Sequence, residues 1–533
     1  MEESQFDVVV IGTGLLESIT ASALSKAGYK VAHIDQNSYY GAEEATLSLD
    51  ELAQWIDKQQ SSDTQNSRFK HAKRSDTVPK QSRQYAVCLQ PSIIPSIGPM
   101  ISSLVASGVA KYSGFRLLDC LTIYNKTGSI ANVPSSKEDI FKSKEISLLD
   151  KRRLMRFLTF ASGEFEGKQE LEGKEDLPFP EFLSTGFSLN ENICSVISYA
   201  LAFCLSPDDA TLPALKRLRH YLRSSGRYGP SPFLIGHYGG TGDIAQGFCR
   251  ASAVSGGVYI LGRDITGIAP ISSDPNGFNY AITLSDFPDT ISTRLVITSP
   301  SNSPLPVGVT PRQLSRTSAQ VSNIHCMARG ILILDRPLAS PPQEPLSDFA
   351  ETAGDVDENQ TSPPLAIDTG ILVFPPGSVQ GGSSKHPVTV LVTGEGSLST
   401  PKGKWIVYIG CPLSEDLEDS TTAEDVLKPY VDAILSLSTN PSSGPIDPLF
   451  SVSYLEYSPQ ELTNTTNEST YIIVPPPAIA SLADICDELT VDAEATFKAA
   501  IQVLRQLSPR ENDDDEYPPF WPPLPVEEED NEW

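Results

Sequence analysis

The chain opens on an apolar run, Phe6-Asp7-Val8-Val9-Val10-Ile11, that halts at Gly12 and Gly14 and passes into a helical spacing ending near Gly28. A second apolar run closes on Asp35. Strand, glycine turn, helix and strand in that order predict a Rossmann-type βαβ unit reaching to about Trp55. From 58 to 84, polar segments such as Ser61-Ser62-Asp63-Thr64-Gln65-Asn66 predict an exposed loop or disorder, with order resuming at Tyr85. Leu148, Leu149, Leu154, Met155, Phe157 and Leu158 then recur at helical spacing, and Ser147-Leu148-Leu149-Asp150 offers a capping box with Asp where Glu is usual. Helical patterns follow over 189–205 and 212–224, the second carrying Lys216, Arg217, Arg219 and Arg223. Sheet character returns in Val258-Tyr259-Ile260-Leu261, Tyr280-Ala281-Ile282-Thr283-Leu284 and Leu295-Val296-Ile297, so the helical block is an insertion. Further strands are expected at 388–392 and 405–409, flanked by polar, Pro-containing surface loops at about 338–364 and 414–425. A helix from about 491 to 507 presents Ala495, Phe497, Ala500, Ile501 and Leu504 as its apolar positions. It precedes Asp513-Asp514-Asp515-Glu516 and a Pro-rich acidic tail too polar to build a core.

At 533 residues the chain is long enough for two or three domains. Its 40 basic and 67 acidic residues leave a net charge of −27, with a pI near 4.6. That balance argues against nucleic acid and anionic lipid as direct partners and suits a basic one. The cysteines (Cys88, Cys120, Cys194, Cys204, Cys249, Cys326, Cys411, Cys486) are scattered without a CxxC pair, as reduced, mostly buried thiols of a cytosolic protein would be. No cleavable signal, no uncharged run of roughly 18 to 20 residues and no prenylation box is read, so a soluble chain is expected.

The chemistry expected of the βαβ unit is disturbed at one position. A dinucleotide loop presents bare helix N–H groups to a pyrophosphate and an acid at the end of the second strand to the ribose. Gly12, Gly14 and Asp35 fit that pattern, but Glu17 stands where the third glycine belongs. It sets bulk where helix and strand should meet, and a carboxylate where phosphates would lie. A dinucleotide fold without its dinucleotide is expected, so FAD is not expected as a cofactor. The histidines (His33, His71, His220, His237, His325, His386) lie far apart, no HExxH, GxSxG or GxxxxGK[ST] occurs, and neither a metal nor a catalytic site is read. His33 falls on the second strand as a buried or edge residue. Asn464 and Asn467 head N-x-[ST] triplets and are expected to be unmodified without a secretory signal. An enzyme fold emptied of enzyme residues favours a binding protein.

Blocks spread over much of the chain carry a resemblance. Gly12-Thr13-Gly14-Leu15-Leu16-Glu17-Ser18, His33-Ile34-Asp35-Gln36-Asn37-Ser38-Tyr39-Tyr40-Gly41, Arg227-Tyr228-Gly229-x-Ser231-Pro232-Phe233-Leu234, Gly242-Asp243-Ile244-Ala245-Gln246-Gly247-Phe248-Cys249-Arg250 and Gly256-Gly257-Val258-Tyr259 stand in order and spacing. Together they resemble the superfamily of Rab GDP-dissociation inhibitors and Rab escort proteins. Between its branches, Val133-Pro134-Ser135-Ser136-Lys137-Glu138-Asp139-Ile140-Phe141-Lys142-Ser143-Lys144-Glu145, the segment from Lys151 to Phe160, Ala493-Glu494-Ala495-Thr496-Phe497 and the tail Pro518-Pro519-Phe520-Trp521-Pro522-Pro523 are similar to the escort branch.

The resemblance implies a mixed α/β fold: a flavin-monooxygenase-like, Rossmann-type large domain with an inserted all-helical smaller domain and no flavin. On that basis 1–125 and 229–508 form the large domain, 126–228 the helical insertion with lipid and prenyltransferase contacts, and 509–533 a disordered acidic tail. It implies no catalytic residues, but a role accessory to Rab geranylgeranyltransferase. The implied partners are GDP-bound Rab GTPases, the catalytic α/β dimer of that transferase, the Rab geranylgeranyl lipid and, transiently, a membrane. The compartment implied is the cytoplasm, with the nucleus left open. Tyr40, Asp243 and Arg250, with Val258 and Ile260, carry over as the Rab-binding platform; the acid is Glu in most relatives, and Val258 and Ile260 depart in type. Arg156, Phe157 and Phe160 carry over as the prenyltransferase-docking surface, and the two phenylalanines share a helix face with the exposure of each left open. Ile193, Val196, Ile197 and Leu201 are expected to form a lipid-shielding wall. Alternatives are a GDP-dissociation inhibitor that recycles prenylated Rab and, from another class, an FAD-dependent oxidoreductase.

Overall fold

The computed structural model describes residues 4–61, 67–134, 137–142, 146–300, 305–317, 324–341, 366–413, 420–439, 444–459, 465–476, 479–507 and 517–524. Expectations for the greater part of the loop near 338–364, for 414–419, for Asn464, for Asp513 to Glu516 and for Ser135, Ser136 and Ser143 to Glu145 lie outside these residues. The first sheet is built on the parallel strands β1 (Gln5–Ile11), β2 (Val31–Asp35) and β3 (Val258–Leu261), in the order β3-β2-β1, and continues through Ile291–Thr298, Tyr280–Leu284 and Ile265–Pro270. Val8, Val9, Val10 and Ile11 are almost wholly buried, which is why β1 reads as an unbroken apolar run: a central parallel strand is covered on both faces. The helices that cover the sheets and form the insertion include α1 (Leu15–Lys26), α2 (Pro99–Ser107), α3 (Lys137–Lys142), α4 (Leu148–Ser162), α5 (Thr211–Ser224), α6 (Thr241–Val254) and α7 (Ile485–Leu507). Of these, α1, α2, α6 and α7 share one apolar core on one face of the first sheet.

A second, mostly antiparallel sheet runs Phe69–Arg74, Phe450–Tyr457, Cys326–Leu334, Trp405–Leu413, Val388–Thr393, Thr369–Phe374, Cys120–Tyr124 and Ile130–Asn132. Ala423–Ser436 covers one face, and the helical insertion covers the other. The domain boundary drawn at 125/126 cuts a hairpin, because Ile130–Asn132 pairs with Cys120–Tyr124 in this sheet. The stretch expected as loop over 58–84 also needs correction: it contains the strand Phe69–Arg74, which pairs with Phe450–Tyr457. Charges in and beside the strand find partners, some of them at the surface. Arg68 Nη2 is 2.6 Å from Glu456 and Arg68 also meets Glu43, Lys73 meets Glu424, and Arg74 Nε is 2.8 Å from Asp57. Burial alone would raise Glu456, but Arg329 and Arg68 overcome it and hold the carboxyl at about 2.

The insertion follows its pattern closely at α4, where the Ser147 hydroxyl accepts from the Asp150 N–H at 3.1 Å and donates to the Asp150 carboxylate at 2.8 Å. The long helix expected over 189–205 is instead a short one, Glu191–Ser195, capped by Asn190, that loosens into a π turn at Val196–Leu201. The terminal helix starts at Ile485, earlier than expected, because its first turn is anchored by the insertion: Tyr221 donates to Asp484 at 2.5 Å, and His220 Nε2 lies 3.2 Å from Asp487. The tail, expected to be disordered, is packed over 517–524, where Phe520 and Trp521 sit half-buried against the core shared by α1, α2, α6 and α7. Proline and two large aromatics supply there the apolar area that the surrounding acids lack. No helix among the described residues is long and apolar enough to cross a membrane.

Phe157 and Phe160 both face inward, 0% and 7% exposed, within a cluster of Phe165, Phe179, Phe182 and Phe187. Phe157→Ala should therefore destabilise the chain by about 3–5 kcal/mol, whereas Leu148→Ala on the same helix, 80% exposed, should cost less than about 0.5 kcal/mol, both read from urea denaturation. Equal effects would show that the cluster does not form.

Candidate functional site

Helix α1 begins where a dinucleotide phosphate would normally satisfy its free N–H groups, and here the chain brings its own carboxyl groups to that end. A methyl group placed on Gly14 would lie 2.6 Å from Glu17 Oε2 and 2.9 Å from Glu44 Oε2, so two carboxyl groups converge on the helix N-terminus. Glu44 accepts from the Leu15 N–H at 3.3 Å. Burial raises Glu17 to about 7, opposed by its own backbone N–H and reinforced by Asp35; burial, then Glu17, raises Glu44 to about 8. Near neutral pH the pair therefore retains proton rather than carrying two full charges. Asp35, which would receive a ribose, is spent internally: it accepts from Thr13 N at 2.8 Å, Thr13 Oγ1 at 2.6 Å and Asn37 N at 2.8 Å. His33 is buried and held neutral, its pKa lowered to about 4 by burial, with Nε2 against the Gly12 carbonyl. In a dinucleotide site the pyrophosphate would lie where Glu17 and Glu44 converge, and the ribose where Thr13 and Asn37 engage Asp35. The sequence pointed to Glu17 at this end of the helix; Glu44, beyond the second strand, carried no such signal.

Glu44 also ties the next element into place. Gly41 adopts φ +98°, where an added Cβ would meet Ala45 Cα at 2.7 Å, and its N–H donates to the Thr13 carbonyl at 3.1 Å. The turn folds back onto α1 and leaves Tyr40 half-buried, its ring 5.9 Å edge-on from Tyr259. On the other side of this turn lies α6, so close that a Cβ on Gly242 would come 2.5 Å from Thr46 N. Asp243 and Arg250, seven residues apart, lie on one face of α6 with Gln246. Asp243 is half-buried and raised to about 6 by that burial, while Arg250 is exposed and stacks its guanidinium 4.4 Å above the Tyr112 ring. Val254, 75% exposed, extends this face by one more turn. Tyr112 and Val254 were not among the expected residues, and only their exposure distinguishes them. Val258 and Ile260 point to the other side of β3 from Tyr259, half-buried on the apolar layer with Ala32 and Ile34. The structure thus groups Tyr40, Asp243 and Arg250 around α6 and sets Val258 and Ile260 on the opposite face of the edge strand.

The surface expected at Arg156, Phe157 and Phe160 is a surface only at Arg156, which is exposed and lies over the Phe187 ring. Both phenylalanines are occupied in the core described above. The apolar groups that do reach solvent lie one turn and one helix earlier: Phe141 on α3, 63% exposed, with Leu148 and Leu149 on α4. Arg152 is exposed on the same helix. Of the expected lipid wall, Ile193 and Ile197 are buried and Val196 and Leu201 half-buried, all in the core of the insertion. The Ser198 hydroxyl is buried there without a partner, inside the π turn. The cysteines are free, and all but half-buried Cys120 are buried. Among the described residues no group of three or more His, Cys, Asp or Glu side chains could hold a metal ion.

Residues 1–344 match the sequence profile of a family described as GDP dissociation inhibitor. A Drosophila melanogaster protein, "Rab proteins geranylgeranyltransferase component A", is 34% identical over 321 residues, 57% of this chain and 61% of that one. The Saccharomyces cerevisiae protein of the same name is 28% identical over 409 residues, 76% of this chain and 61% of that one. The chain thus spans about three fifths of each of these two relatives. Among solved structures, a Rab GDI from Plasmodium falciparum superposes with a TM-score of 0.60 at 20% identity, covering 95% of this chain and 98% of that one, a likeness of fold.

The buried carboxyl pair sets a pH dependence. Glu17 and Glu44 are raised from an ordinary 4.5, so the folded state binds protons that the unfolded chain releases. Their stabilising effect is complete below about pH 4.5 and is lost as pH rises through about 7 to 8. Unfolding free energy measured by urea titration should fall across this window by several kcal/mol, at about 1.4 kcal/mol for each unit by which a carboxyl is raised, and Glu44→Gln should remove the larger, Glu44 share of that slope. An unchanged slope in the variant would mean that the two acids do not share the α1 N-terminus.

Proposed function

The chain belongs to the GDP dissociation inhibitor family, and from that premise we propose that it is an escort protein for Rab GTPases. In this role it is an accessory, non-catalytic chain. It holds a GDP-bound Rab, presents it to the catalytic geranylgeranyltransferase dimer, shields the attached prenyl groups and delivers the Rab to a membrane. The observation that carries the reading is the self-filled N-terminus of α1: Glu17 and Glu44 converge on it, and the turn that Glu44 ends sets Tyr40 against Tyr259 and near Cys249 on α6, the helix that carries Asp243 and Arg250.

A half-buried aromatic, a forked cation stacked on a second ring and an exposed valine combine rigid area with directional hydrogen bonding, as a protein-binding hot spot requires. Such a surface needs no catalytic group to sense nucleotide. Switch loops of a GTPase change order with the γ-phosphate, and a surface complementary to the GDP form selects it by shape. The names of the relatives support the escort reading over a recycling inhibitor, which would share the platform but not the transferase.

The lipid makes a second demand. Twenty carbons at roughly 0.8 kcal/mol per methylene amount to on the order of 10 kcal/mol or more of unfavourable exposure. The π turn at Val196–Leu201, with its unpartnered Ser198 hydroxyl, departs from α-helical hydrogen bonding in the middle of the insertion's core, and helices can part there around an apolar chain. For the transferase, Phe141, Leu148, Leu149 and Arg152 replace the buried Phe157 and Phe160 as the docking surface.

Labelled geranylgeranyl should enter an unprenylated GDP-bound Rab only when this protein accompanies the catalytic dimer; no incorporation, with binding to prenylated Rab retained, would move the chain to the inhibitor branch. Arg250→Ala should weaken binding of the GDP-bound Rab by about tenfold or more. Phe141→Ala should leave that binding unchanged and reduce capture of the transferase dimer in pull-downs, and equal loss of both would refute a dedicated docking face.

A further inference from the structure

The packed tail crosses the one corner of the molecule that carries Arg250. Its Trp521 ring stacks on Phe248 of α6 at 5.8 Å between centroids and 23° between planes, and Phe248 is wholly buried two residues before Arg250. The indole N–H donates to Ser103 Oγ of α2 at 3.1 Å. Phe520 meets Phe497 of α7 edge-on at 5.4 Å. Leu524 lies over Gly108, at the turn that leads from α2 toward Tyr112, and the guanidinium of Arg250 rests on the Tyr112 ring. Arg505 of α7 stacks over Tyr517 at 4.3 Å and fixes the start of the segment. A short stretch of tail therefore fastens α2, α6 and α7 together from outside, directly behind the Arg250–Tyr112 stack.

We infer that residues 517–524 form a strap whose Trp521 positions Arg250 for the GTPase, making Trp521 a positioning residue of the platform although it faces away from it. This rests on the Rab-binding reading above. A tryptophan wedged against the inner side of a helix limits how that helix can slide or roll, and Arg250 is seven residues from Asp243 on the helix so held. The proline pairs on either side, Pro518-Pro519 and Pro522-Pro523, stiffen the strap and lower the entropy lost in holding it down.

The test is a double-mutant cycle in the full chain, with affinity for GDP-bound Rab read by titration and affinity for the transferase dimer read alongside. Trp521→Ala should weaken Rab binding about tenfold and leave transferase binding within about twofold. Trp521→Phe, which keeps the stack on Phe248, should restore most of the loss. Arg250→Ala combined with Trp521→Ala should bind Rab no more weakly than Arg250→Ala alone. Additive losses, unchanged Rab affinity in Trp521→Ala, or parallel losses for Rab and transferase would overturn the strap role. If Trp521→Ala does not stay soluble, Phe520→Ala completes the same cycle with the same expectation. A wild-type chain that binds no Rab would sink the functional reading and the strap role with it, whereas binding with additive losses sinks the strap alone.

Discussion

The N-terminus of α1 must be given hydrogen-bond acceptors, and this chain gives them from within. The first N–H groups of a helix have no partner in the helix itself and carry a partial positive charge. In a dinucleotide-binding protein a phosphate answers both demands. Here Glu44 reaches back to the Leu15 N–H and Glu17 folds over Gly14, at the cost of burying two acids whose pKa values rise to about 8 and about 7. Because Glu44 sits at the end of a turn that starts at Tyr40, satisfying the helix and placing Tyr40 are one event. The same turn is gripped from its far side by α6 at Gly242, so the two halves of the platform, far apart in sequence, are registered against one another through it.

Behind that joint the molecule is stitched by buried or half-buried charges rather than by apolar contact alone. Arg68 joins Glu43, next to the plug, to Glu456 in the second sheet, and Arg329 meets the same carboxylate from the neighbouring strand. At the opposite side of the insertion, Tyr221 and His220 bind Asp484 and Asp487 at the head of α7. A chain of net charge −27 spends much of its scarce positive charge on such joints, which leaves Arg250 on α6 as an outlying cation with an aromatic rather than an acid beneath it.

Much of this was legible in the residues, and the failures have physical causes. The βαβ unit was readable because central parallel strands are buried on both faces and turn at glycine. Glu17 was readable because it breaks a pattern. Glu44 was not, since no local rule ties an acid to a helix that starts twenty-nine positions earlier. Phe69–Arg74 hid as a polar loop because Lys73 and Arg74 are answered by Glu424 and Asp57, and Arg68 just before it by Glu456, partners that only the folded chain brings near. Helical spacing put Phe157 and Phe160 on one face but could not tell whether that face met water. A cluster of four further phenylalanines decided it, and the exposed aromatic turned out to be Phe141. The tail read as disordered because its acids outnumber its apolar groups, yet two aromatics among prolines suffice to dock it.

The self-filled helix end also bears on how such a fold could have changed its occupation. A phosphate and the Glu17–Glu44 pair compete for the same N–H groups, so no single chain can use both at once. Replacing Glu17 by glycine would remove the bulk and leave Glu44 in place; replacing both would empty the site but release the turn that carries Tyr40. A phosphate on the helix end and the present hold on the Tyr40 turn are therefore alternatives rather than degrees of one another: whatever fills the helix end also fixes the surface beside it.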